Sequence, residues 1–200
     1  MARLIAQSRI GALGIHWRGP VGEVRSTLSA VGAADSGGLP SLRARWFFDE
    51  PFPKFGRMDA LCKIAVAAAQ LIHKAGGFGG LNLDDVAQVG ATALGCIEVD
   101  AQFEDSRRAG APSPALFVYT LPSMFQGEIA IRFRLRGRCV LFAGGTDCAK
   151  LALNQAARMV DKGRAPAVLA IAADAARGHA EAEAWLVGSY GGLADLPSGA

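Results

Sequence analysis

Little in this sequence supports redox, metal or membrane chemistry. Its four cysteines, Cys62, Cys96, Cys139 and Cys148, lie far apart in apolar contexts with no Cys-x-x-Cys pair, so they read as buried, reduced thiols of a reducing compartment. Histidine is scarcer: His16, His73 and His179 are the only three, and no metal-ligand spacing unites them. No cofactor or metal is expected. Arg3, Gln7, Ser8 and Arg9 interrupt any N-terminal apolar core long enough for an export signal. No stretch of about eighteen uncharged apolar residues occurs. The expectation is a cytoplasmic protein without a membrane span. Charge of one sign is also lacking: 21 Lys and Arg against 18 Asp and Glu leave a net charge of only +3. With no nucleic-acid motif and no aromatics interleaved among the arginines, a nucleic-acid partner is not expected.

Apolar residues, by contrast, are abundant. They make up 51% of the 200 residues, ample for the packed core of one domain spanning residues 1–200. Residues 3–15 read as a first strand ending near Gly11 and Gly14, followed by a short helix around Val21–Val31 and a glycine- and proline-rich loop over Gly32–Pro40. The aromatics of the next stretch, Phe47, Phe48, Phe52 and Phe55, exceed what a solvent loop needs and are expected to pack across the domain or lie in an interface. From Met58 the period turns helical: Met58, Leu61, Ile64, Ala65, Ala68, Leu71 and Ile72 recur at three- and four-residue steps until Gly76-Gly77 stops the run. The loop Gly76–Gly80 follows a helix with no strand leading into it, so it reads as a stop and turn, not a phosphate cradle. Val86–Leu94 suits a central strand, Glu98–Gly110 a helix or loop, and Ala167–Ala173 another strand. Strands alternating with helices imply a sheet covered on both faces.

Two local patterns are candidates for function. Arg132, Arg134, Arg136 and Arg138 alternate with Ile131, Phe133 and Leu135; in a strand this puts four guanidinium groups on one face. That face reads either as a solvated surface or as a docking patch for an acidic partner. The second pattern is Cys139-Val140-Leu141-Phe142-Ala143, a buried-strand run broken by Gly144-Gly145, after which Thr146 can cap a helix. Cys148 lies two residues on, turned about 200° around that helix, and reads as a packed core residue.

The words Leu121-Pro122-Ser123, Gly127-Glu128-Ile129-Ala130-Ile131 and Leu135-Arg136-Gly137, with the helix ending at Lys162-Gly163-Arg164, make this region resemble the N-terminal domain of a β-ketoacyl synthase, a thiolase-like condensing enzyme. The resemblance covers most of residues 58–174 and is weak before Met58. It implies an α/β fold, a thiolase-like half whose mixed, mostly parallel sheet is covered by helices. Counted forwards from Gly137 or backwards from Gly163, the family's active-site cysteine falls on Thr146. Such an enzyme needs a thiolate at a helix N-terminus, whereas a threonine hydroxyl needs an adjacent base and Asp147 adds unfavourable negative charge. The family's other catalytic groups come from a C-terminal domain that lies beyond this chain's end, and no histidine here sits in an HGT-type motif.

Ser113-Pro114-Ala115-Leu116-Phe117 and the Ala143-Gly144-Gly145 turn further resemble the short synthase-like subunits of type II polyketide and aryl polyene systems, the chain length factors. The resemblance implies a non-catalytic partner of a β-ketoacyl synthase, with an acyl carrier protein as a further partner. Its association would be a homodimer alone or a heterodimer with the synthase. The implied interface is the strand Cys139, Val140, Leu141 and Phe142, antiparallel to its mate, with the helix after Thr146 buried beneath it. The alternative is a small acyltransferase or hydrolase using Thr146 or Cys148, for which no base is identified.

Overall fold

Asp59 sets the start of the best-defined helix. Its carboxylate accepts the N–H groups of Leu61 and Cys62 at 3.1 Å each, satisfying donors that a helix start leaves unpaired. The computed structural model describes residues 1–11, 14–26, 42–176 and 178–189. Strands β1 (Ala2–Gly11), β2 (Gly14–Gly19) and β3 (Gly22–Ser26) come first. Helices α1 (Pro53–Arg57) and α2 (Ala60–Lys74) precede β4 (Val86–Thr92). Next come α3 (Ile97–Arg108), α4 (Pro114–Phe117) and α5 (Met124–Phe133). The chain continues through β5 (Cys139–Ala143), α6 (Cys148–Asp161), β6 (Ala167–Ala176) and β7 (His179–Ser189).

The strands form one sheet in the order β3-β2-β1-β7-β6-β4-β5. Helix α2 lies on one face against β7, β6 and β1, with α5 beside it, and α6 covers the other face against β6 and β4. Alanine makes the first arrangement possible. Ala65, Ala67, Ala68 and Ala69 are fully buried, so α2 is enclosed nearly all round and small side chains let its neighbours approach. Ser8 adds a polar tie by donating its hydroxyl to the Ala68 carbonyl at 2.8 Å. β4 and β6, covered on both faces, read as near-continuous apolar runs for that reason. The aromatic segment packs as its composition predicts: Phe47 and Phe55 are fully buried and Phe48 nearly so, with ring centroids 5.4 to 6.3 Å apart where Phe55 meets the other two.

The α/β class with a mixed sheet agrees with the sequence, but the balance of directions does not. Among the described residues β4 pairs in parallel with β5 and β6, while the other four ladders are antiparallel. Two features tip that balance. The helix expected around Val21–Val31 is replaced over Gly22–Ser26 by β3, which turns back on β2 and pairs Trp17 with Val24; residues 27–31 and the expected loop Gly32–Pro40 lie outside the described residues. The second is β7, a long strand where none was expected. Its first half alternates buried Ala180, Ala182 and Ala184 with outward His179, Glu181 and Glu183. That is a strand period written in alanine, a residue with low strand preference.

Candidate functional site

The parallel strands β4, β5 and β6 end together, and the segments leaving them make the site. Crevices at the carboxyl ends of parallel strands are the usual place for chemistry in such sheets. Here a single carboxylate organises the end. Asp174, on β6, accepts the Thr92 hydroxyl at 2.8 Å and the backbone N–H groups of Ala93 and Leu94 at 2.9 and 2.8 Å. Thr92 Oγ1 in turn accepts the Gly95 N–H at 2.9 Å, and the Thr92 carbonyl accepts the Gly144 N–H at 2.9 Å. The end of β4 and the turn after β5 are therefore bound into one unit. Sequence reasoning missed Asp174, although a lone carboxylate inside an otherwise apolar strand was a visible signal.

The turn itself departs from the sequence expectation by one residue. Gly144 and Gly145 both sit at φ +92°, a conformation that favours glycine, with open space where a Cβ would project. Thr146 follows in an exposed bend and is not the helix cap; Asp147 occupies that position, without a side-chain bond, and α6 starts at Cys148. Among the described residues the Thr146 hydroxyl has no hydrogen-bond partner. Cys148 is buried, 7% exposed, as expected for a core residue. Burial first, then Asp174 and Asp147, push its pKa up and hold it as a thiol.

The histidines are elsewhere or otherwise engaged. His16 Nε2 lies 2.8 Å from Glu23 on the β2–β3 hairpin, and His73 packs against the rings of Phe78 and Phe133. His179 lies at the β6–β7 turn, 3.5 Å from Glu181. Among the described residues no group of three or more His, Cys, Asp and Glu side chains is arranged to hold a metal ion.

The strand β5 is not the buried strand its sequence suggests. Among the described residues it lies at the sheet edge, paired only with β4. Cys139, Val140 and Ala143 are exposed, and Leu141 and Phe142 are half-buried against opposite faces of the sheet. Gly137 permits this docking, because a Cβ there would come 2.3 Å from the Val86 carbonyl oxygen. One acceptor on β5, the Val140 carbonyl, is taken by Gln126 Nε2 at 3.1 Å. The helix expected beneath β5, α6, packs mainly against β6 and β4 instead, burying Ala152 and Ala156 against the sheet and leaving Leu151 39% exposed. More apolar surface adjoins the β4 end: Leu94, Ile97, Phe117, Val118 and Leu121 are all exposed. These two segments touch, since Cys96 Sγ donates to the Thr120 carbonyl at 3.0 Å and Phe103 packs on Phe117 with centroids 5.4 Å apart. Sequence reasoning found the β5 part of this surface and not the rest.

The arginines do not share a strand face. Arg132 is in the last turn of α5, Arg134 caps that helix at φ +57°, and Arg136 and Arg138 lie in the connection to β5. Core packing decides this. Phe125, Ile129 and Phe133, four residues apart, are all buried along α5, while Glu128 pairs with Lys54 Nζ at 2.6 Å and accepts the Tyr119 hydroxyl at 3.4 Å. Burial, with Glu128 adding to it, raises the Tyr119 pKa to about 12. The Arg132 guanidinium lies over Phe48 and Phe52 at 5.2 and 5.1 Å, and Arg136 pairs with Asp84 at 3.6 Å. Only Arg134, Arg136 and Arg138 are exposed.

No protein-family model matches the sequence, and no curated protein matches it either. Solved structures do. The ishigamide ketosynthase/chain length factor superposes with a TM-score of 0.70 at 19% identity, over 98% of this chain and 64% of that one. The fold is that of ketosynthases and chain length factors. A ketosynthase, ApeO, in complex with its chain length factor, ApeC, from Xenorhabdus doucetiae gives 0.67 at 14% identity, over 94% and 79% of the two chains. The type II polyketide complex AntDE:AntF, an acyl-carrier protein with its ketosynthase, gives 0.69 at 10% identity, over 94% and 62%. The chain thus spans less than two thirds of the first and last of these. Placed in a ketosynthase-type, thiolase-like fold, the β5–α6 turn is the place where the sequence resemblance put the nucleophile. No described helix is long and apolar enough to cross a membrane.

Proposed function

We propose that this chain is a non-catalytic, chain-length-factor-like subunit that pairs with an active β-ketoacyl synthase in fatty acid or polyketide-type biosynthesis, including the aryl polyene class. The observation that carries the proposal is that Thr146, where the sequence resemblance puts the family's nucleophile, is exposed and without a hydrogen-bonded base among the described residues. The state of Cys148 weighs against the acyltransferase or hydrolase alternative, because burial and two carboxylates disfavour its thiolate. Pairing is supported by the β5 edge and by the adjoining exposed residues Leu94, Ile97, Phe117, Val118 and Leu121. The interface would centre on Cys139, Val140, Leu141 and Phe142, in a homodimer alone and a heterodimer when the synthase is present. Exposed Arg134, Arg136 and Arg138 would meet the acidic acyl carrier protein. The setting would be the cytoplasm.

The test is turnover by the purified chain with malonyl- and acyl-carrier substrates. None is expected, and Thr146→Ala and Cys148→Ala should match the parent in a reconstituted assay. Turnover that disappears in either variant would establish the enzyme alternative instead.

A further inference from the structure

The connection from α5 to β5 carries a backbone feature that the fold alone does not require. Arg134 caps α5 at φ +57° and is the only non-glycine residue at positive φ among the described residues. A side chain is strained in that conformation, and glycine is the ordinary occupant of such a helix end. Strain of this kind collects where a side chain serves a ligand. Arg134 also lines a cleft of about 430 Å³ between the C-terminal end of α2, the turn after it and the end of α5. That volume lies within the range of small-ligand sites, roughly 300–1,000 Å³. The segments around the cleft lead into β4 and β5, so it lies where these parallel strands begin, at the opposite end of the sheet from Thr146 and Asp174.

Charge narrows the ligand. The lining includes His73, Arg132 and Arg134 and no Asp or Glu. Cations just outside it are paired, Lys74 with Asp49 at 2.9 Å and Arg136 with Asp84 at 3.6 Å. Inside, among the described residues, Arg132 lies over the Phe48 and Phe52 rings without a carboxylate, and the exposed Arg134 has no partner. Two permanent guanidinium charges beside an exposed imidazole match a dianion. A carboxylate would leave one of them unmatched, whereas a phosphoryl group carries about −1.5 to −2 charge at pH 7 and three acceptor oxygens. Leu83, Phe78 and Phe133 make up the apolar part of the lining. We propose that this cleft binds a small phosphomonoester, its phosphoryl group held by Arg134 and Arg132 and its organic body lying against the apolar part. The strained arginine then has a task that a glycine could not perform.

Calorimetric titration of the full chain with phenyl phosphate, inorganic phosphate and benzoate tests this. Phenyl phosphate should bind most tightly, with inorganic phosphate, which lacks the organic body, and benzoate, a monoanion, each about tenfold weaker. Arg134→Gly separates the two halves of the argument because its effects run in opposite directions. It should weaken phenyl phosphate by about tenfold or more, yet raise the ligand-free urea midpoint by about 0.3–0.5 M as the strain is released. Arg138→Gln changes an exposed arginine outside the cleft and should leave the affinity within about twofold. No synthase or carrier protein takes part, so the result is independent of the pairing proposal. The assignment is overturned if phenyl phosphate fails to saturate the protein by about 10 mM, if benzoate binds as tightly, or if Arg138→Gln weakens binding as much as Arg134→Gly does. An Arg134→Gly midpoint no higher than the parent's would overturn it too, by removing the strain on which it rests.

Discussion

Removing the Asp174 carboxylate should loosen the end of the sheet and at the same time make Cys148 more acidic. The carboxylate accepts three hydrogen bonds, from the Thr92 hydroxyl and the amides of Ala93 and Leu94. At roughly 1.5–3 kcal/mol for each bond to a charged acceptor, their sum would be an overestimate, because water can reach the two exposed backbone amides once the carboxylate is gone. Thr92 is fully buried and has no such recourse. Asp174→Ala should therefore cost about 2–3 kcal/mol, and Asp174→Asn, which keeps one acceptor oxygen, about 1 kcal/mol. With a urea m-value of about 2 kcal/mol/M, the alanine variant should unfold about 1–1.5 M earlier. After burial, Asp174 is the largest cause of the raised Cys148 pKa, so neutralising it must move that pKa down, towards the ordinary thiol value. Carbon NMR of the cysteine Cβ signals across alkaline pH follows this for each thiol. An unchanged urea midpoint in Asp174→Ala, or a Cys148 titration that stays put or moves up in Asp174→Asn, would refute the role given to this carboxylate.

Two further predictions concern titration and charge. Burial first, then Asp59, raises the Cys62 pKa far above the ordinary value of about 8.5, so the folded state retains a proton that the unfolded chain loses. Stability should be undiminished below about pH 8.5 and should fall above it, by up to about 1.4 kcal/mol per pH unit from this thiol alone, and Cys62→Ala should flatten the decline; a parent whose urea midpoint is level from pH 8 to 10 would contradict this. Changing Arg134 and Arg136 together to glutamate should weaken association with an acidic acyl carrier protein, more strongly at low salt; a binding constant unmoved by charge or salt would return these side chains to plain solvation.

How much of this was legible in the sequence follows from which signals are local. α2 could be read to within two residues at each end because its apolar spacing and its glycine stop are both local, whereas its Asp59 cap went unread. β4 and β6 were readable as largely apolar runs, since burial on both faces favours that composition. β7 was not, because Ala, Glu and His carry little strand preference and its partners β1 and β6 are distant in sequence. The arginine segment shows the opposite failure. Its alternation is real from Arg132 to Arg138, but the burial of Phe125, Ile129 and Phe133 fixes a helix through the first of those residues. At the candidate site, the Gly144-Gly145 break and the residues following it were found locally, while Asp174 enters from a strand almost thirty residues later and only the sheet brings it there.

Co-expression with a full-length β-ketoacyl synthase, followed by light scattering of the purified material, tests the pairing most directly. The expected result is a one-to-one complex burying roughly 2,000 Å² or more of mostly apolar surface, lost when Phe142→Asp places a charge beside the β5 edge. A parent chain that stays monomeric over a wide concentration range, and from which the synthase separates freely, would contradict the account.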